Sequence, residues 1–445
     1  MTQKATSPKR SFQLLCHSPL IHFQADEGGA TLRASEVKPK LDTYLISKLK
    51  PIKREWYVQP GKNQALNYRM KIIHIDASSR FKQEDKIIQN FPIFYGKGKK
   101  LVLSDPLVTI TCFIPDLLEA IEEHIADFLI VTNFGTMQHK GFGSFTITEK
   151  TLDSQKIGQI LGERYHSDVY KMKVPGSCRL KFQNIQNFYR LTKSGINGPN
   201  ADDPYCKGTL FRYMHDKGIG NEKARLKSGI VKPLATKHFE SDDANAETPA
   251  RVHYVRSVLG MTSNFSFPNN FERTGYTGPK RYVQRVLVSH KTIKRYASPL
   301  RFKVIDDSIY IYLVSDSIKR LLDEKGTFAF RRRVIIPEKL KFNKGKELLL
   351  PLELMDLLQD NNENELLAEV VKIKSNKDYM KIRERLKKII PTLTPEQIDL
   401  DMPKSFDGND FLGEAVANYN QNREELFNRS EEIILLSEVN NTWIK

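Results

Sequence analysis

Hydrophobic and polar positions change period several times along the first 150 residues. "FQLLCHSPLIHF" (12–23) is dense in apolar residues and predicts a strand. "ADEGGATLR" (25–33) is a glycine turn ending in a cation. In "SEVKPKLDTYLISKL" (35–49), Leu41, Leu45 and Leu49 recur every fourth position and predict a helix with one apolar face. Pro39 is tolerable there only near the first turn. "LNYRMKIIHIDA" (66–77) predicts a strand, "YGKGKK" (95–100) a basic loop, and "LVTITCFI" (107–114) another strand. "PDLLEAIEEHIADFLIV" (115–131) opens with two good helix starters and carries Leu118, Ile121 and Ile125 at helical spacing. A glycine-rich loop follows, and then the strand "GSFTIT". The order β-α-β-β-α-β is the ferredoxin-like split pattern. The same topology underlies the RNA-recognition motif, whose open sheet face is a nucleic-acid platform.

Beyond residue 156 the periodicity is weaker. "VYKMKV" and "RLKFQNIQNFYRL" read as β-like, and "TLFRYMHDKG" and "NEKARLKSGIVKPL" as helical. "KHFESDDANAETPA" (238–249) is polar and low in apolar residues. "RVHYVRSVLGM" (251–261) reads as a short basic amphipathic helix. "RYVQRVLVS" (281–289), "LRFKVI" (300–305), "SIYIYLV" (308–314) and "FAFRRRVIIP" (328–337) read as strands, with "DSIKRLLDEK" helical between the last two. The remainder is rich in Leu, Glu and Lys, and "LLPLELMDLLQD" and "KIRERLKKII" fit helices. The expected fold class is α+β: two ferredoxin-like domains (1–155 and a diverged 156–337) followed by a helical, acidic C-terminal extension (338–445).

Composition narrows the function. A chain of 445 residues, 40% hydrophobic and 28% charged, can bury a sizeable core. No apolar run approaches the ~20 residues that span a bilayer, and the opening residues make a poor secretion signal. The expectation is an intracellular, cytoplasmic protein away from membranes. Cys16, Cys112, Cys178 and Cys206 form no CxxC pair, so neither a cysteine-built zinc site nor another cofactor is expected. Net charge is +17, unevenly spread. From Pro391 onward 11 acidic residues face 4 basic ones, which leaves the preceding 390 residues at +24. A body that basic attracts polyanions, nucleic acid foremost.

The stretch most open to chemistry is "TNFGTMQHKGFGSF" (132–145). Glycines permit positive φ and expose N–H groups, and N–H groups beside a lysine suit phosphate oxygens. Phe142 beside them could stack on a base, worth ~1–3 kcal/mol. A tight structural turn whose Phe142 caps the core is the competing reading. No GxxxxGK[ST] is present in this loop or in "YGKGKK", so neither is a Walker loop. Arg331, Arg332 and Arg333 lie in a strand, where two on one exposed face would suit phosphates. "EEHIAD", with Glu122, Glu123, His124 and Asp127, lacks HExxH spacing and reads as a solvated helix face.

"GTMQHKGFGSF" resembles the glycine-rich loop of the RAMP superfamily, the repeat-associated RNA-binding proteins of CRISPR systems. "SPLIHF…GGATLRASEVKPKL" is similar to the opening of these proteins, and the two-domain first subunit of type III-B (Cmr) effector complexes is similar over more of the chain. "VHYVRSVLG" (252–260) and "RYASPLRFKV" (295–304) resemble stretches of that subunit. The opening departs from it: an expected glycine is absent, and Lys38 and Lys40 stand where an arginine is expected. The resemblance implies a non-catalytic subunit of an antiviral ribonucleoprotein, binding crRNA or target RNA beside other effector subunits. It assigns RNA contact to Gly135, Lys140, Gly141, Phe142, Gly143 and Ser144 in the loop, and to Arg33, Lys38 and Lys40 at the first helix. It also leaves open a metal-dependent ribonuclease using the loop residue Asp26, and a histidine base at His17 or His22. A basic scaffold binding an acidic protein is the alternative outside RNA chemistry.

Overall fold

The computed structural model describes residues 7–21, 31–61, 64–87, 91–93, 101–149, 153–198, 205–229, 251–261, 264–270, 281–333, 341–342, 348–349, 358, 362–373, 375–389 and 397–437. The chain divides into two compact units: Met1–Tyr213 with Ser298–Leu321 and Phe406–Lys445, and Met214–Ala297 with Leu322–Ser405. Expectations for Asp26, His22, "YGKGKK", residues 238–249 and most of "LLPLELMDLLQD" lie outside the described residues.

The first unit begins with β1 (Lys9–Cys16), α1 (Ala34–Lys48), β2 (Arg69–Ile73), β3 (Leu107–Thr111), α2 (Pro115–Val131) and β4 (Phe145–Ile147). The strands form one sheet in the order β2-β3-β1-β4, every neighbour antiparallel. Registers such as Lys9↔Thr111 and Leu14↔Ile147 fix which side chains share a face. β3 alternates as its sequence requires: Val108 and Ile110 are buried, and the threonines between them are half-buried. Leu14, Val108 and Ile110 join Leu41 and Leu45 of α1 and Ile121 and Ile125 of α2 in one core. Pro115 occupies the first turn of α2, where its missing N–H costs nothing. Pro39 falls in the second turn of α1, which starts at Ala34, deeper than the sequence suggested. The other sheet face carries Lys9, Ser11, Gln13, Arg69, Lys71, Ile73, Leu107, Thr109 and Thr111 in register, and no aromatic residue among them.

A second sheet of the same unit has the order β6-β7-β5-β8. Its strands are β5 (Val169–Lys173), β6 (Leu300–Ile305), β7 (Ser308–Leu313) and β8 (Ile433–Ser437), again all antiparallel. α3 (Ser154–Tyr165), α4 (Cys178–Lys193) and α5 (Gly408–Phe427) pack against these strands or their neighbours. Two expectations fall here. "RLKFQNIQNFYRL" is helical, not β-like: Phe182, Ile185, Phe188 and Leu191 repeat every third position on a buried face, and the Ser177 side chain caps the start by accepting from Leu180 N–H. The C-terminal segment is not wholly helical. β8 pairs with β5, Ile433 opposite Met172, and Ile398–Leu400 joins a sheet of the second unit. The compact units are not contiguous in sequence, because strand pairs join residues far apart.

The second unit is built on an antiparallel sheet of Asn264–Asn270, Arg281–Ser289, Phe328–Arg333 and Ile398–Leu400, in that order. "RVHYVRSVLGM" is a strand (Arg251–His253) and a 3-10 turn (Val255–Leu259), not a helix. Val255, Val258 and Leu259 are all buried, so burial around the turn overrides helical spacing. "KIRERLKKII" does lie in a helix, Asn376–Ile389, which buries Tyr379 and Leu386.

Candidate RNA interface around the glycine loop

The loop leaving α2 turns back against residues 18–21. Gly135 (φ +78) and Gly143 (φ +69) adopt conformations that side chains disfavour. A Cβ on Gly135 would sit 2.5 Å from Ile21 O, and one on Gly143 would sit 2.1 Å from Phe134 O. These glycines therefore serve close backbone packing. Their N–H groups are spent internally: Gly135 N–H donates to Glu36 Oε1 (2.7 Å), Gly143 N–H to Pro19 O (2.9 Å) and Gly141 N–H to Gln138 O (3.2 Å). Ser144 N–H donates to Ser18 Oγ (3.0 Å), and its hydroxyl to Val304 O. Phe142 is 0% exposed and rests on Phe182 at 4.2 Å and Phe91 at 5.8 Å between ring centroids. The sequence-based expectation that Phe142 stacks on a base is thus overturned. Residues 141–144 are a core plug, and phosphate binding by their amides goes with it.

The predicted cations divide. Lys38 is committed to Asp42 (2.8 Å) and Leu66 O (2.9 Å) and lies over the Tyr68 ring. Lys40 donates to Glu36 (3.0 Å), Asn133 O (3.2 Å) and Gln138 Oε1 (3.2 Å), which clamps the loop to α1. Arg33 is exposed at the N-cap of α1. Lys140 is half-buried, its ammonium 5.4 Å from the Tyr189 ring centre, and Lys193 lies 5.7 Å from the same ring. Burial lowers the Lys140 pKa. Burial, then Arg301, Lys140 and Lys193, drive His139 down to about 3, so it is neutral at pH 7. Burial at the apex, residues 138–140, is the larger cause, and the neighbouring cations Arg301, Lys140 and Lys193 add to it.

Beside that apex lies a cavity of about 480 Å³. Lys40, Arg164 and Arg301 line it, together with Tyr44, Tyr165 and Tyr312, and among the described residues no Asp or Glu does. Tyr165 and Tyr312 stack at 4.9 Å. Glu36 offsets Lys40, which leaves Arg164 and Arg301 as the cavity's main positive groups. Arg164 donates to Ser47 Oγ (3.3 Å), while Arg301 Nε is buried without an acceptor. Neither arginine was singled out from the sequence, although Arg301 lies inside the family-like stretch 295–304. They reach Lys40 from α3 and β6 only through tertiary packing.

β6 also fixes the loop: Phe302 N–H donates to His139 O (3.2 Å), and Asn133 Nδ2 to Phe302 O (2.9 Å). Lys303 is fully buried and donates to Leu129 O (2.6 Å) and Thr132 O (2.8 Å) at the end of α2. Burial holds its pKa well below the usual lysine value. His17 is a satisfied core histidine. Nδ1 accepts from Asp306 N–H (3.1 Å), Nε2 meets Thr146 Oγ1 (2.7 Å), and burial lowers its pKa. Glu122 pairs with Arg10, and Arg331 is exposed. Among the described residues no group of His, Cys, Asp or Glu is placed to hold a metal, and no helix is long and apolar enough to cross a membrane.

Comparison with known families matches both parts of the chain. A model of the Cmr1 N-terminal domain covers residues 7–196, and one of the Cmr1 C-terminal domain covers 205–439. These matches define the class as a type III-B CRISPR effector subunit, RAMP-like and part of an RNA-binding ribonucleoprotein. The chain belongs to the Cmr1 family. It is also similar to the crystal structure of Cmr1 from Pyrococcus furiosus in its apo form: 12% identity, TM-score 0.34, over 74% of this chain and 90% of that one. Among curated proteins no sequence matches.

Proposed function

We propose that this chain is a non-catalytic RNA-binding subunit of its effector, built on ferredoxin-like RAMP domains, and that it holds crRNA or target RNA at the cationic face beside the glycine loop. The observation that carries the reading is the cavity lined by Lys40, Arg164 and Arg301 and, among the described residues, by no carboxylate. Glu36 partners Lys40, so Arg164 and Arg301 are the groups that would draw phosphates by releasing counterions. Tyr44 and Tyr312 are buried and Tyr165 is stacked on Tyr312, so the cations carry the contact. The strand order β2-β3-β1-β4 with two helices on one face supports the ferredoxin-like assignment. The open sheet face lacks aromatic residues, which favours the loop edge over the sheet as the contact surface.

The test is a salt titration of single-stranded RNA binding by the whole chain. Replacing Arg164→Gln and Arg301→Gln together should weaken binding and flatten the slope of log K against log salt by roughly 0.7 for each phosphate no longer neutralised. An unchanged slope with unchanged affinity would remove the cavity from the RNA path.

A further inference from the structure

One edge of the first sheet ends in open hydrogen-bonding groups. β2 is the last strand on that side, paired on its inner side with β3. Asp105 N–H donates to Ile75 O (2.8 Å) and Ala77 N–H to Leu103 O (3.2 Å), so the same register continues past the strand. Alternation then turns the peptide groups of Arg69, Lys71 and Ile73 toward β3 and those of Met70, Ile72 and His74 outward. Among the described residues no donor or acceptor meets these outward groups. Natural edges are often bulged or broken by proline, and β2 has neither device. Arg69, Lys71, Ile73 and Ile75 share the open face beside the edge, and both isoleucines are 44% exposed. Residues 69–75 contain no Asp or Glu. The Asp76 carboxylate serves its own turn, accepting from Ser78 N–H (2.9 Å) and the Ser78 hydroxyl (3.0 Å). Lysine on an edge guards against stray pairing, but a guard does not account for two isoleucines left in water beside it.

We propose that β2 is a docking edge for an acidic, extended segment of a partner protein, which adds antiparallel to the four-stranded sheet as a further strand. The segment's main chain meets the outward groups of Met70, Ile72 and His74. Its acidic side chains lie opposite Arg69 and Lys71, and its apolar ones opposite Ile73 and Ile75. An RNA strand fits this edge less well. Phosphate oxygens only accept, so they leave the outward carbonyls and the isoleucines unanswered. The inference goes beyond the RNA contact at the cavity and does not depend on it.

The experiment is fluorescence anisotropy on the full chain with a labelled peptide, VTVTETE. In antiparallel register its valines fall opposite Ile75 and Ile73 and its glutamates opposite Lys71 and Arg69. Two control peptides accompany it: VTVTKTK, and VTVTETE N-methylated at its second, fourth and sixth residues, whose amides face β2. Each should bind at least about tenfold more weakly, because like charges opposite one another repel and a methylated amide cannot donate. Arg69 and Lys71 are exposed. Arg69→Glu with Lys71→Glu should therefore leave the circular dichroism spectrum unchanged and exchange the preference, so that VTVTKTK binds better than VTVTETE. The N-methylated peptide tests the parent chain alone, which keeps the inference falsifiable should the double variant fold poorly. Equal affinity for all three peptides overturns the inference, as does no binding at about 1 mM peptide. A preference that the folded double variant fails to exchange overturns it too. A labelled oligouridylate tests the other occupant: RNA binding weakened about tenfold or more by the double variant, with no peptide bound, assigns the edge to nucleic acid and overturns the protein docking.

Discussion

Replacing Phe142→Ala separates a loop that binds from a loop that packs. The ring is fully buried, centred 4.2 Å from Phe182 and 5.8 Å from Phe91. Removing a buried phenylalanine ring typically costs about 3–5 kcal/mol, the forfeited transfer energy plus the cavity left behind. The neighbours are themselves pinned. Gly143 has no room to shift toward Phe134 O, and β6 holds the loop through Asn133 and Ser144, so collapse around the gap is limited and the upper part of the range applies. Against a total stability of about 5–15 kcal/mol, that is a large fraction. With a urea slope near about 3 kcal/mol/M, the unfolding midpoint of the first unit should fall by more than about 1 M. Phe142→Leu should recover over half of the loss. RNA affinity of the protein that remains folded should be unchanged. A midpoint within experimental scatter of the parent, with RNA binding reduced tenfold or more, would refute the packing argument and restore the stacking role.

Two further predictions concern stability. His139 is depressed to about 3, mainly by burial, so below about pH 6.5 the unfolded chain takes up a proton that the folded chain refuses. Stability should hold above that value and fall as the pH drops, by at most ~1.4 kcal/mol per unit from this group, until about pH 3. His17, also lowered by burial, acts in the same direction. Urea midpoints that stay flat from pH 7.5 to 5.5 would contradict this. Buried Asp85 accepts from the N–H groups of Cys178 (3.1 Å) and Arg179 (2.6 Å) at the start of α4. Asp85→Ala should cost about 1–2 kcal/mol by removing this cap, and thermal unfolding that matches the parent would argue against the cap.

What sequence alone determined is the local structure of the N-terminal unit. α2 begins at Pro115 and ends at Val131 as its spacing required, because starter residues and a 3.6-residue apolar period act within one element. β2, β3 and β4 fell where alternation or apolar density placed them and the +24 body was a count, but the strand expected over 12–23 is split: β1 ends at Cys16, and Leu20–Ile21 pairs with Leu101–Val102 in another sheet. The glycine loop was located correctly, yet its role was misread. Glycine permits both exposed amides and close packing, and only the positions of Ile21, Pro19 and Phe134 select the second. Tertiary structure decided the rest. It committed Lys38 and Lys40 to nearby carboxylates and brought Arg164, Arg301 and Tyr312 to one cavity. It also drew residues 433–437 out of an expected helical tail into the sheet beside β5. Those pairings join positions separated by tens to hundreds of residues. Burial and strand pairing choose such partners only when the whole chain has collapsed, and no local period encodes that choice.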